Sequence, residues 1–445
     1  MPIKAEIGKG RIDWVFIAAV LGLLGLGTLM MLSAASPLPY YTQILQRHFM
    51  ALLLGALFFF FGLGFNYQIF QDQAQVLYAL VLAILAAVLL IGTTQRGHRA
   101  WINISFFTFQ PAELARIVMI LVMAAFLDWR ARKMDQFSSV LLAFGVAGPV
   151  MFLILKQPDF STVLTFFPIL LGMIFCGGAG LAHLFALIGY GATAAFMPLL
   201  YTFCQIRYAQ APPGSLPYFI LQTSRMGLSA AAVIAAIIFI SVMAWRLSIM
   251  LRTQARAIYF VAIPLVLAAG MLSGAVATRH MKSYQRNRFV AFVAPHADIQ
   301  GAAYNVHQSQ VAIGSGGLLG KGLFSGTQSR LGFLPERHTD FIYAVVGEEM
   351  GFAGTMAILA LYMLLIWRIV SAGRLARDRY GYLVCCGLAT MFAFEFVLNV
   401  GMCVGLMPVA GIPLPLISYG GSSLVITLWA LGVVANIYSR RYSLL

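Results

Sequence analysis

The first apolar run of the chain, Trp14-Val-Phe-Ile-Ala-Ala-Val-Leu-Gly-Leu-Leu-Gly-Leu-Gly-Thr-Leu-Met-Met-Leu32, decides the class of fold. It holds no charged side chain and is long enough to cross a hydrocarbon core, which takes roughly 18 residues of helix. Similar runs recur to the C-terminus, and the chain is 61% hydrophobic and 10% charged, whereas a typical soluble domain is about 25% charged. The sequence therefore predicts an all-α polytopic membrane protein.

Apolar runs bounded by charged residues and by helix breakers predict about twelve transmembrane helices. Their expected limits are Trp14–Leu32, Met50–Phe65, Gln75–Ile91, Ala112–Leu127, Val140–Leu155, Thr162–Phe175, Leu181–Phe203, Met226–Trp245, Ala257–Gly274, Phe341–Trp367, Leu383–Met402 and Leu416–Ile437.

The basic residues predict the orientation of these helices. If the N-terminus is cytoplasmic, five basic clusters fall in cytoplasmic segments, as the positive-inside rule requires. These clusters lie at 4–11, 130–133, 246–256, 368–379 and 440–441. The formal net charge of +15 is then mainly topological, so we expect no nucleic-acid partner. We expect both termini to be cytoplasmic.

Few acidic residues remain away from the cytoplasmic side. They lie in outer connections or within predicted spans, where ionisable groups are costly and usually functional. These acids are Glu113, Asp159, Asp298, Glu336, Asp340, Glu348, Glu349 and Glu395. Glu113 and Arg116 are three residues apart and should pair on one helical face. Asp159 could cap the helix that follows it.

The longest polar segment runs from Tyr284 to Asp340 and is rich in glycine and glutamine. Loops of this length are usually functional or disordered, and its apolar anchors favour an ordered loop. Glycines surround Lys321 as in a phosphate cradle, but the Walker spacing is absent, so tight loop packing is the favoured interpretation. An ion-pair network of Glu336, Arg337, His338 and Asp340 is favoured over a metal site, because contiguous ligands suit one ion poorly.

Several stretches together resemble the SEDS family (shape, elongation, division and sporulation proteins), the membrane-embedded glycosyltransferases of bacterial peptidoglycan. The stretches are Phe109-Gln-Pro-Ala-Glu113-Leu-Ala-Arg116, Gln157-Pro-Asp159, Tyr284-Gln-Arg286, Gly314-Ser-Gly-Gly317, Gly326-Thr-Gln-Ser329, Pro335-Glu-Arg-His-Thr-Asp-Phe341 and Pro413-Leu-Pro-Leu-Ile-Ser-Tyr-Gly-Gly-Ser422. The motifs look more like those of the elongation members than those of the division members.

The resemblance implies a fold and an activity. It implies a SEDS-like helical bundle over 1–445 with a catalytic extracytoplasmic loop over 276–340. The family usually has ten spans, and Met226–Trp245 and Ala257–Gly274 look like an inserted helical hairpin within 204–275 that departs from it. The implied reaction polymerises lipid II, a disaccharide-peptide on undecaprenyl pyrophosphate, at the outer face of the bacterial cytoplasmic membrane. A class B penicillin-binding protein is the implied partner, in contact with membrane lipid.

The essential loop aspartate of the family falls on Asp298, which could act as a general base toward the acceptor hydroxyl. Cations could offset the charge of the leaving diphosphate, and we expect Lys321, Arg286, Arg288 and Arg337 to do so. Further substrate contacts are expected at Trp101, Asp159, Gln308 and Ser309, with Glu113, Arg116, Glu336, His338 and Asp340 as supporting residues. Arg116 and Ile299 depart from the family, which usually has lysine and proline there.

Other functions stay open at the level of sequence. Buried charges in many spans also describe a flippase or transporter of lipid-linked precursors, although no inverted repeat is evident. A division or sporulation paralogue, or a scaffold of the wall-synthesis complex, is a further alternative. We assign no metal ligand and no certain cofactor, and a divalent metal stays open.

Overall fold

The structure is a computed structural model that describes residues 12–95, 98–104, 107–209, 212, 214–224, 227–252, 256–295 and 301–442. The helices are α1 Trp14–Ala35, α2 Tyr41–Gly64, α3 Gln68–Asp72, α4 Ala74–Ile91, α5 Pro111–Trp129, α6 Phe137–Lys156, α7 Phe160–Cys176, α8 Leu181–Arg207, α9 Leu216–Thr223, α10 Leu228–Met250, α11 Ala257–His280, α12 Ser283–Val293, α13 Ala302–Ser315, α14 Thr327–Arg330, α15 Ile342–Arg374, α16 Arg379–Cys403 and α17 Gly421–Ser439.

Every predicted span coincides with one of these helices, and the all-α polytopic fold is confirmed. Within the described part of the chain, ten helices are long and apolar enough to cross a membrane. The other two predicted spans are α7, which is shorter at 17 residues, and α5, which includes Glu113, Arg116 and Asp128. The protein is therefore a multi-pass membrane protein.

Three local features differ from the sequence prediction. The last span was expected from Leu416, but α17 begins at Gly421, because the preceding stretch holds two prolines and Leu416 has a φ of +64°. The polar segment, expected as a loop, contains helices α12, α13 and α14. A small antiparallel sheet, expected from no apolar run, precedes α5; its strands in order are β1 Thr93–Gln95, β2 His98–Ile104 and β3 Phe107–Phe109.

The described residues fall into two compact units. Unit 1 lies within Met1–Ala179, Gln308–Leu406 and Ala410–Leu445. In it α2 packs along α17, α1 along α15, and the deeply buried α16 against α15, α5 and α7. Glycines bring α2 and α17 together, since a Cβ on Gly432 would overlap the Phe59 carbonyl. Small residues let helix backbones approach in this way within membranes.

Unit 2 lies within Gly180–His307 and Met407–Val409. Its α8 packs along α11, and α10 and α12 add to this pair. Gly270 and Gly274 on α11 lie against Thr193 and Met197 on α8, where a Cβ would come within 2.7 Å of either side chain. The assignment of 204–275 as an inserted region stays a prediction.

The close approach of α2 and α17 can be tested at Gly432. We expect Gly432→Ala to lower the free energy of unfolding by about 1–3 kcal/mol, because the added methyl group forces backbone shifts at Phe59. Gly64→Ala is the matched control, since a Cβ there meets nothing within 4 Å. Thermal unfolding in detergent should show a lower midpoint for the first variant alone, and equal midpoints would contradict this packing.

Candidate active site

A buried charge cluster joins α5 to α16 at the end of unit 1 where α5 begins. Pro111 starts α5, Glu113 lies in its first turn and Arg116 follows on the same face. Arg116 contacts Glu113 Oε2 through Nη2 and Glu395 Oε1 through Nη1, both at 2.5 Å. The predicted Glu113–Arg116 pair is thus confirmed, and Glu395 adds a second carboxylate that no motif had connected to it.

The three side chains are almost fully excluded from solvent, with exposed fractions of 6% for Glu113, 5% for Arg116 and 1% for Glu395. One guanidinium faces two carboxylates, so the cluster carries a net charge of −1 when all three groups are ionised. Charges at this depth are stable only when they are paired and hydrogen-bonded. Arg116 is therefore the group on which the other two depend.

Asp159 lies at the start of α7 and links three helices. Its carboxylate caps α7 by accepting hydrogen bonds from the Thr162 backbone N–H at 3.1 Å and the Thr162 hydroxyl at 2.8 Å. It also accepts one from Gln110 Nε2 at 2.9 Å. The Gln110 backbone N–H in turn donates to the Ser422 hydroxyl at 3.3 Å. The expected helix cap is confirmed, and Gln110 at the entry of α5 connects Asp159 on α7 to Ser422 on α17.

The glycine-rich segment, residues 314–329, packs into an interruption of α15. Gly351 has a φ of +63° and breaks the helix, so the N–H groups of Phe352 and Ala353 lose their usual acceptors, the carbonyls of Glu348 and Glu349. These two N–H groups and the two carbonyl groups form hydrogen bonds with the backbone of residues 317–322 instead. Phe352 donates to Gly317 and Ala353 to Leu318, at 2.9 and 3.0 Å, while Lys321 and Gly322 donate to Glu348 and Glu349, both at 3.0 Å.

This arrangement confirms tight loop packing as the role of the glycines. A Cβ on Gly316 would overlap the Gly347 carbonyl, and one on Gly320 would overlap the Glu349 carbonyl. Gly320 also has a φ of +82°, a conformation that glycine adopts without steric cost. No larger residue fits at Gly316 or Gly320 without displacing α15.

Two buried acids on α15 fasten the rest of this segment. Glu348 accepts hydrogen bonds from the backbone N–H groups of Thr327, Gln328 and Ser329 and from Lys321 Nζ, at 2.7 to 3.1 Å. Glu349 accepts from the Phe324 N–H at 3.0 Å and the Ser33 hydroxyl at 2.6 Å. The Glu348 carboxylate thus accepts from Lys321 and from consecutive backbone N–H groups, the kinds of donor that would bind an anion in a phosphate cradle.

The stretch 335–341 is held against the segment that precedes α17. Asn399 on α16 donates to the carbonyls of Asp340 and Ile412, at 3.0 and 2.8 Å. The Ser418 hydroxyl donates to the Thr339 carbonyl at 2.6 Å, and the Tyr419 N–H donates to the His338 carbonyl at 2.9 Å. Two motifs far apart in the sequence therefore form one hydrogen-bonded layer.

Arg337 lies within this layer with 6% of its surface exposed. Its Nε donates to the Ala34 carbonyl at the end of α1, at 2.9 Å. Burial lowers the pKa of the Arg337 guanidinium. Glu336 accepts a hydrogen bond from the Thr339 hydroxyl at 3.1 Å. The expected role of Glu336, Arg337, His338 and Asp340 as an ion-pair network stays a prediction.

The other predicted site residues are distributed as follows. Trp101 lies half-buried on β2, and Arg286 and Arg288 lie on α12 in unit 2. Gln308 and Ser309 lie on α13, where the buried Ser309 hydroxyl donates to the Cys403 carbonyl at 2.8 Å. Asp298, the predicted base, lies outside the described residues. These assignments to substrate contact and catalysis stay predictions.

Three further polar residues organise this end of unit 1. The sequence singled out Glu348 and Glu395 as acids but assigned them no partner, and it missed Asn399. Glu395, Glu348 and Asn399 are each at most 1% exposed. The sequence signal for Glu395 was an acid within an apolar run, with no cation one helical turn away. Within the described residues, no group of three or more His, Cys, Asp and Glu side chains could hold a metal ion.

These features define a polytopic α-helical membrane protein with a buried charge cluster and a structured polar segment at one end of unit 1. The family model of cell cycle proteins that covers FtsW, RodA and SpoVE matches residues 12–211 and 220–443. The chain belongs to this family.

Three proteins are similar to this chain over nearly its whole length. The peptidoglycan glycosyltransferase RodA of Treponema pallidum is 31% identical, over 98% of this chain and 99% of its own length. The crystal structure of the rod shape-determining protein RodA of Thermus thermophilus has a TM-score of 0.59 and 26% identity, covering 97% of this chain and 98% of that one. A chain from a peptidoglycan synthase complex, described as coordinating polymerization and crosslinking, has a TM-score of 0.63 and 27% identity, covering 97% and 98%.

Arg116 should matter for stability through charge compensation. We expect Arg116→Gln to destabilise the protein by roughly 3–5 kcal/mol, because it leaves two buried carboxylates without a cation. The triple variant with Glu113→Gln and Glu395→Gln as well should recover most of the loss, since it removes the uncompensated charges. Unfolding in detergent measures both, and a triple variant as unstable as the single one would contradict the charge argument.

The interruption of α15 can be tested at Gly320. We expect Gly320→Ala to expose the backbone amides of 317–322 and 352–353, since the methyl group overlaps the Glu349 carbonyl and parts the two segments. Gly314→Ala is the matched control, because a Cβ there meets nothing within 4 Å. Hydrogen–deuterium exchange should be faster at these amides in the first variant only. Unchanged protection in Gly320→Ala would refute the packing argument.

Proposed function

We propose that this protein is a peptidoglycan glycosyltransferase that polymerises lipid II into glycan strands during cell elongation and the maintenance of shape. It transfers the lipid-linked disaccharide-peptide onto a growing chain and releases undecaprenyl pyrophosphate. The observation that carries this proposal is the similarity to the RodA glycosyltransferase of Treponema pallidum over 98% of the chain. A match of this extent includes both units and the whole polar segment.

The proposed location is the bacterial cytoplasmic membrane, with both termini in the cytoplasm and the polar segment outside. Helix direction supports it, because α1 begins where α15 and α17 end. Arg368 near the end of α15 pairs with Asp13 at 2.5 Å and lies 6.0 Å from the ring of Tyr438 near the end of α17. Arg374, Arg377 and the C-terminal Arg440 lie at this end, which the positive-inside rule assigns to the cytoplasm. The charge cluster and the glycine-rich segment then lie toward the outer face, where lipid-linked substrate is polymerised.

Asp298 is the proposed general base. It takes the proton of the acceptor hydroxyl while the hydroxyl oxygen bonds to the anomeric carbon of the donor sugar. The bond from that carbon to the pyrophosphate oxygen breaks, and the diphosphate leaves with the electron pair. A positioned base supplies about 10²–10⁴-fold in rate, and nearby cations stabilise the developing negative charge.

The contacts of the proposed cations divide them into two groups. Lys321 is paired with Glu348 at 2.9 Å and Arg337 is buried against the Ala34 carbonyl, which supports a structural role for both. Arg286 and Arg288 lie on α12, which ends shortly before Asp298 in the sequence. We therefore assign diphosphate charge compensation to Arg286 and Arg288, and the shaping of the site to Lys321 and Arg337.

A class B penicillin-binding protein is the proposed partner, which crosslinks the strands made here. This partner is supported by the similar chain from a peptidoglycan synthase complex, which is described as coordinating polymerization and crosslinking. Polymerisation and crosslinking act in turn on the same glycan, so a shared complex keeps the nascent strand between the two activities.

The function is tested at Asp298 with the purified protein, its transpeptidase partner and lipid II. We expect Asp298→Asn to lower the rate of polymer formation by about 10²–10⁴-fold, since the amide cannot accept the proton. Asp135→Asn is the matched control, an exposed acid in the connection between α5 and α6. Lipid II consumption by Asp298→Asn at the rate of the control would overturn the proposed base.

A second measurement separates polymerisation from transport. In proteoliposomes, the protein should convert lipid II to polymer on the side where it is supplied. If lipid II instead crossed the bilayer while no polymer formed, the protein would be a flippase and the proposed function would be wrong.

A further inference from the structure

An apolar cavity of about 490 Å³ opens between α1, α2, α15 and α17 in unit 1. It lies at the end of the unit opposite to the charge cluster. Its polar end is formed by Asp13 before α1, Arg368 near the end of α15 and Tyr438 near the end of α17. Its walls are hydrocarbon and aromatic side chains, such as Leu24 and Phe59.

The cavity is a consequence of how four helices pair. Gly432 lets α17 approach the Phe59 carbonyl on α2, and Gly27 lets α1 approach the backbone at Leu416 and Ile417. The first contact fixes α2 on α17, and the second holds α1 against the stretch that precedes α17. α1 also packs along α15, whereas α1 and α2 touch each other little. The space between the two pairs is therefore set by close backbone packing. It opens sideways, since the wall residue Phe60 is 65% exposed.

The depth of the cavity matches one leaflet of a bilayer. The lining residues run from Trp14 to Leu24 on α1 and from Leu52 to Leu63 on α2. At a helical rise of about 1.5 Å per residue, each stretch covers roughly 15–17 Å. This is about half of the roughly 30 Å hydrocarbon core. A single acyl chain that enters from the side would thus lie fully within the cavity.

The polar end carries the cationic and aromatic side chains that are typical of a headgroup region. Arg441 stacks on Tyr438 at 3.7 Å, and Arg368 lies 6.0 Å from the same ring while it pairs with Asp13 at 2.5 Å. Among the described residues, two guanidinium groups thus lie around one tyrosine ring at this end. Trp14, 70% exposed, lies beside the opening, and Trp and Tyr are enriched at the membrane–water interface.

We propose that this cavity binds one acyl chain of an anionic membrane phospholipid, with the phosphate of the lipid held near Arg441 and Arg368. The shape of the walls selects a hydrocarbon chain, and the charge at the end selects an anionic headgroup. The site lies in the cytoplasmic leaflet, a placement that rests on the orientation proposed above. It is distinct from the site of sugar transfer, which lies at the other end of unit 1.

The test uses the purified full-length protein in detergent, with phosphatidylglycerol or phosphatidylcholine added at graded concentrations and bound lipid counted by native mass spectrometry. We expect Ala56→Trp to weaken phosphatidylglycerol binding by roughly tenfold, since the indole takes the place of methylene groups of the chain. Ala56 lines the cavity and is exposed, so the variant should fold. Leu57→Trp, on the next and equally exposed position outside the cavity, is the matched control.

The headgroup is tested with Arg441→Gln. We expect the preference for phosphatidylglycerol over phosphatidylcholine to fall by about fivefold, the effect of one cation near an anionic surface, while the exposed Arg374→Gln changes it little. Unaltered binding in Ala56→Trp, an equal preference of Arg441→Gln and the wild type, or tighter binding of a polyprenyl phosphate would each overturn the proposal. Polymerase activity toward lipid II is recorded in parallel; a protein that binds the phospholipid but makes no polymer supports this site and refutes the proposed function instead.

Discussion

The structure depends on one constraint: a backbone polar group at membrane depth must find its partner within the protein, because the bilayer offers none. Continuous helices meet it along most of the chain. At Gly351, where α15 is interrupted, four groups would be left unpaired, and the glycine-rich segment supplies a partner to each of them. Residues 317–322 of the polar segment therefore complete the backbone hydrogen bonding of α15 in unit 1.

The same constraint explains the charged residues at this end of unit 1. Glu348 and Glu349 are buried on α15. Glu348 accepts from three backbone N–H groups of the polar segment and from Lys321, and Glu349 accepts from the Phe324 N–H and the Ser33 hydroxyl. Arg116 compensates Glu113 and Glu395 from two helices. Each buried charge thus joins elements that are distant in sequence.

The two ends of unit 1 use different chemistry for different tasks. Toward the proposed outer face, carboxylates and backbone amides form a dense hydrogen-bonded layer. At the other end, the paired helices part and leave an apolar cavity with a cationic end. Water-soluble proteins rarely tolerate an open apolar cavity of this kind, whereas in a bilayer it borders hydrocarbon and can admit a lipid chain.

The sequence by itself determined that this is a membrane protein, which helices span the membrane, and which contacts form between residues close together in the chain. Apolar runs set the spans, and the Glu113–Arg116 pair and the Asp159 cap followed from spacings of three residues. Only the tertiary structure decided which distant groups meet. Glu395 joins Arg116 across two helices, and Glu348 binds a segment about twenty residues earlier, because these contacts depend on how helices pack. The sequence also did not reveal the interruption at Gly351, because a glycine in an apolar run is compatible with an unbroken helix. Only the backbone groups of 317–322 make the break stable.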